Sequence, residues 1–152
     1  MSLILALSVA TAVTMSVQDS SPTPRYDLVC VFQKRSNDPA SGTTQSEPIK
    51  QKNLTISFDR GNSPKIDVDS IVISGDLSIV EGRKAKEFIF GNDMHFGIFF
   101  PAPDGSLLGL IGTPSAQKRF QTTVLRKSSD GKVSYPMAGL CGIVHSQAAQ
   151  AR

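Results

Sequence analysis

The sequence predicts an all-β fold: a single antiparallel β-barrel or sandwich of about eight to ten short strands, with at most one short helix. Three observations lead there. Leu54, Ile56 and Phe58 alternate with Thr55, Ser57 and Asp59, the period of a half-buried strand, and similar runs recur along the chain. Clusters drawing on 12 Gly and 9 Pro separate these runs, at spacings of about 10 residues. No stretch of ordinary helix length carries a helical period. A length of 152 residues, 39% hydrophobic and only 19% charged, suits one domain with its own core and excludes a disordered, highly charged chain.

The elements follow in order. Tyr26 to Lys34 reads as the first strand, and the polar stretch from Arg35 to Glu47 as a long loop; loops of that length are usually functional or mobile. A strand from Lys52 ends at the turn cluster Arg60-Gly61-Asn62-Ser63-Pro64. Ile66 and Val68 alternate with Asp67 and Asp69, and Ile71 and Ile73 continue on the next strand or past a bulge. Leu77-Ser78-Ile79-Val80 reads as a further strand between the breakers Ser74-Gly75-Asp76 and Glu81-Gly82-Arg83. Phe88 to Phe90, Phe96 to Phe100 and Leu107 to Ile111 add three, with Pro101 to Gly105 as a hairpin tip. Thr113 to Arg119 is the best helix candidate, with a Thr N-cap and Pro114 at the first helical position. Phe120 to Arg126, Val133 to Met137 and a strand around Cys141 complete the set, with Ser129 to Lys132 as a turn.

The two cysteines, Cys30 and Cys141, sit in the first and last of these strands. Paired, they would close a loop of about 110 residues, worth roughly 4–5 kcal/mol on the chain-entropy account. Unpaired, they would be two ordinary buried thiols. No C-x-x-C spacing suggests a redox motif, and neither has histidines at zinc-ligand spacing.

Compartment is legible at the N-terminus. Leu3-Ile4-Leu5-Ala6-Leu7-Ser8-Val9 is a short apolar core, and Ala10-Thr11-Ala12 has the small-x-small form that precedes cleavage. No charged side chain precedes Asp19, so the α-amino group alone supplies the positive start. Residues 1–12 are expected to be a signal peptide and 13–25 a flexible lead-in. The all-β domain then spans 26–145 and a polar tail 146–152. The apolar run is shorter than the roughly 20 residues of a membrane span, so no transmembrane span is expected in the mature chain. Together with a disulfide, this implies a periplasmic or secreted protein.

Five of the eight phenylalanines, Phe88, Phe90, Phe96, Phe99 and Phe100, fall within 13 residues of one another. They either fill the interior of a Trp-free protein or line a site for an apolar ligand or partner. Adjacent Phe99 and Phe100 must point to opposite faces of a strand. Arg83, Lys84, Lys86, Lys118, Arg119, Arg126 and Lys127 are scattered, and a net charge of +3 is a solubility margin; no nucleic-acid partner is expected. Asp59, Asp67, Asp69 and Asp76 lack the Gly and Glu of a calcium loop. His95 and His145 are the only imidazoles, and no G-x-S-x-G element accompanies them. Asn53-Leu54-Thr55 fits a glycosylation acceptor, which matters only in a eukaryotic source. No catalytic residue, cofactor or metal site is expected.

The Tyr26-Asp27-Leu28-Val29-Cys30 strand near the start and Gly139-Leu140-Cys141 near the end resemble a loose class of small exported bacterial β-proteins. The resemblance implies export and an all-β fold, and carries no site residues. The expectation is non-catalytic binding of a protein or an apolar small molecule. A structural cell-envelope protein without ligand is the alternative, and a hydrolase comes third.

Overall fold

A computed structural model of the chain describes residues 23–34, 50–91 and 95–146. The expected signal peptide, most of the lead-in, the 35–47 loop and the tail beyond Ser146 lie outside them. Eight strands form one antiparallel sheet, curled into a half-barrel. They are β1 (Arg25–Lys34), β2 (Lys52–Asp59), β3 (Val72–Gly75), β4 (Glu87–Phe90), β5 (Phe96–Pro101), β6 (Leu107–Ser115), β7 (Arg119–Lys127) and β8 (Val133–His145). Their spatial order is β3-β2-β1-β8-β7-β6-β5-β4. Two meanders are therefore joined through the first and last strands, and strands close in sequence, β3 and β4, become the two edges.

The join is the β1–β8 ladder, in register from Tyr26↔His145 to Lys34↔Met137. Cys30 lies directly opposite Cys141, and the two form a disulfide across a Cα separation of 4.0 Å. That is below the usual lower limit of about 4.4 Å for disulfides and below the spacing of about 4.5 Å between closely spaced antiparallel partners. Beside the disulfide the strands come closer than a side chain allows. A Cβ at Gly139 would stand 2.0 Å from the Val31 carbonyl oxygen, so only glycine fits there.

Inward positions of β1 and β2 alternate as the sequence predicts: Leu28, Cys30 and Phe32, then Leu54, Ile56 and Phe58, all buried. Phe58 meets Phe88 edge-on at 4.8 Å between ring centroids, linking β2 to β4 across the seam. Phe90, Phe96 and Phe120 pack mutually at 5.3–6.2 Å, within the range where aromatic pairs add to their burial energy.

Three local expectations are overturned. The Ile66–Val68 alternation makes no strand. Segment 64–66 forms a single bridge, Lys65↔Ile89, with Ile66 N–H donating to the Phe88 carbonyl at 2.9 Å and Phe90 N–H to that of Pro64 at 2.7 Å. The chain then leaves extended geometry because the Asp67 carboxylate accepts the Asp69 N–H and starts a 3₁₀ turn at Val68–Ser70. The same competition converts Leu77–Val80 from an expected strand into a 3₁₀ turn, capped by Asp76 accepting the Ser78 N–H.

The third concerns the Thr113–Arg119 helix. Here the β6–β7 ladder continues to Ser115↔Arg119, and all that remains of the helix is a 3₁₀ turn at Ala116–Lys118, in which the chain reverses with Gln117 and Lys118 at φ 71° and 57°. Nine paired positions outweigh one N-cap signal. Val133 to Met137 and the Cys141 strand also prove to be one 13-residue strand.

Two stability outcomes follow. Replacing both cysteines with alanine should lower unfolding free energy by about 2–5 kcal/mol, read as a drop in the urea midpoint. Changing Gln117-Lys118 to Asn-Gly, the pair suited to two successive left-handed residues, should raise stability by about 1–2 kcal/mol, read as a higher melting temperature.

Candidate functional site

The phenylalanine cluster divides by strand parity. Phe88, Phe90, Phe96 and Phe100 point inward and are at most 3% exposed, packed ring against ring in the core. Phe99 points outward from β5 and is half-buried. The interior of the half-barrel is thus occupied by its own side chains.

An open cleft lies at the seam. The two edges of the sheet are treated differently. The outer edge of β4 is covered by segment 64–66. The outer edge of β3 has no ladder partner among the described residues. Asp76 N–H donates to the Asn53 carbonyl at 2.8 Å, which sets the alternation of the β2–β3 ladder and turns the N–H and C=O of Ile73 away from β2. Beside this edge is a cleft of about 370 Å³. Val68, Ile71, Ile73, Leu77, Val80 and Ala85 give it an apolar floor, with Asp69, Arg83 and Lys84 at its rim.

Arg83 is committed to holding that cleft in place. Its guanidinium donates to the Phe100 carbonyl at 3.3 Å, to Glu81 at 2.7 Å and to the Ser106 hydroxyl at 3.0 Å. Glu81, in the left-handed region at φ 54°, also pairs with Arg126 at 2.8 Å. The network ties the turn after Val80 to the β5–β6 hairpin and to β7, fixing one wall of the cleft. Lys84 makes no ion pair among the described residues.

The acids named from sequence serve the fold. Asp59 pairs with Arg25 at 2.8 Å, and Asp67 and Asp76 cap the two 3₁₀ turns. Among the described residues no three His, Cys, Asp or Glu side chains are grouped to hold a metal. His145 is exposed and tilts against Tyr26 at 4.6 Å, and His95 is exposed beside the β4–β5 turn. Among the described residues no helix is long and apolar enough to cross a membrane.

No family model, curated protein or solved structure matches the chain. Its geometry is therefore the ground for any functional reading. Sequence reasoning located the aromatic cluster and missed the cleft. The apolar residues that floor the cleft are visible in the sequence, but that Ile73 sits on an edge without a ladder partner among the described residues depends on strand order.

Three aspartates share one local design. Asp76 is held below the usual carboxylate range by the hydroxyl and then the N–H of Ser78, and Asp104 in the same way by Ser106. Asp130 is lowered by the Ser128 hydroxyl and the Lys132 N–H. Lowered folded-state values mean the stabilisation is present above about pH 4 and is lost as pH falls through them. Melting temperature should hold steady above about pH 5 and fall below about pH 4. The fall should be shallower in Asp104→Asn, as read by thermal melts across that range.

Proposed function

We propose that this is an exported, non-catalytic binding protein that holds an extended segment of a protein partner at the seam beside β3. The observation that carries this reading is the β3 edge, which has no ladder partner among the described residues and lies beside a cleft with an apolar floor and charged groups in its walls. An added strand would pair its backbone with the outward N–H and C=O of Ile73, and its alternate side chains would enter the cleft. Backbone pairing supplies affinity without a particular sequence, and the apolar floor selects side chains of matching size. The filled interior favours a protein segment over an apolar small molecule.

Export rests on the disulfide, which persists in oxidising compartments, and on the apolar run at the start of the sequence. A periplasmic or secreted location agrees with both.

A displayed library of random peptides should yield binders that protect the Ile73 amide from hydrogen exchange. The charged edge variant Val72→Lys should weaken those binders about tenfold or more, while keeping the dispersed spectrum of the folded protein. If no peptide protects Ile73, or the binders protect other strands, the β3 reading fails and a structural role without ligand takes its place.

A further inference from the structure

A second site, separate from the β3 edge, lies on the outer face of β4, β5 and β6. Phe99 leans across two glycines, one on its own strand and one opposite it on β6. A Cβ at Gly97 would come within 3.0 Å of the ring, and one at Gly109 within 3.3 Å. No side chain rises beside the ring at those positions, so it rests on the backbone and offers surface to solvent. It lines a groove of about 500 Å³ together with Lys65, Lys86, Glu87, Pro101 and Leu107, a size that suits a small ligand.

The charged groups around the ring stand on fixed backbone. Lys65 is held by its bridge to Ile89. The N–H of Lys86 donates to the Phe99 carbonyl at 2.9 Å, and Glu87 is the ladder partner of Phe99. None of the three has an ion-pair partner among the described residues. The groove therefore combines one aromatic face, two ammonium groups and one carboxylate, none of them ion-paired among the described residues.

Each group selects against some ligands. The two lysines favour an anion. Glu87 opposes every anion alike, but it can accept hydrogen bonds from the several hydroxyl groups of a sugar, which a phosphate backbone or an anionic lipid surface offers in smaller number. The negative ring face attracts the slightly positive C–H groups of a saturated ring. One ligand class uses all of them. We propose that this groove binds an acidic saccharide, with a carboxylate-bearing pyranose stacked on Phe99. Its carboxylate meets the ammonium of Lys65 or Lys86, and its hydroxyls donate to Glu87.

The test is a titration of the isotope-labelled protein with oligogalacturonate, followed by amide chemical shifts. The shifts at Gly97, Phe99 and Gly109 should move with a dissociation constant of about 0.1–1 mM, while Ile73 stays unmoved. Phe99→Leu keeps an aliphatic cover over the glycines and should weaken binding about fivefold. The double variant Lys65→Gln with Lys86→Gln should weaken it about tenfold. A neutral malto-oligosaccharide of equal length should bind far more weakly. Equal binding of the neutral sugar would overturn the proposal, as would unmoved Gly97 and Gly109 signals. So would stronger Phe99-dependent binding to phosphatidylglycerol vesicles or to a single-stranded oligonucleotide. Because Ile73 reports on the other edge, failure here leaves the β3 reading standing.

Discussion

The β1–β8 ladder is the constraint on which the rest of the structure depends. It joins the β1–β2–β3 meander to the β4–β8 meander, and without it the two would be separate sheets. It also brings together residues 111 apart in sequence, a costly closure for an open chain. The disulfide removes much of that cost from the unfolded state. Gly139, two residues from Cys141 and pressed against the Val31 carbonyl, shows how closely the strands must meet to make the bond.

Placing the chain ends in the middle of the sheet has a consequence for the edges. The strands left outermost are β3 and β4, close together in sequence but pairing with different meanders. Curling brings them toward each other, and Phe58 on β2 reaches Phe88 on β4. Segment 64–66 closes the β4 side with backbone hydrogen bonds. The β3 side is left with a strand only four residues long, which limits unwanted edge pairing, and the outward N–H and C=O of Ile73 have no ladder partner among the described residues.

The two proposed surfaces use opposite faces of the same construction. The cleft lies beside β3, where no further strand pairs among the described residues. The Phe99 groove exists because Gly97 and Gly109 leave the outer face low around one ring. The groove is held by the β4–β5–β6 ladders, and the cleft by β3, the two aspartate-capped 3₁₀ turns and the Arg83–Glu81–Arg126 network. Ligands would meet preformed surfaces, which reduces the ordering cost of binding.

Residue pattern alone determined the all-β class, most strand positions and the place of the two cysteines in the first and last strands, because a period of two and a turn cluster are local properties. Phe99 and Phe100 could be assigned to opposite faces for the same reason. The failures were also local in origin. The alternation at Ile66–Val68 and the apolar run at Leu77–Val80 point to strands, but the aspartate side chains capturing nearby N–H groups win the backbone. At Thr113–Arg119 a sound cap signal lost to the cross-strand pairing of β6 with β7. Only tertiary structure decided that Cys30 faces Cys141 in one ladder, that β3 is an edge, and that Phe99 stands over two glycines. Those facts depend on strand order and register, which arise from contacts between residues far apart in the chain.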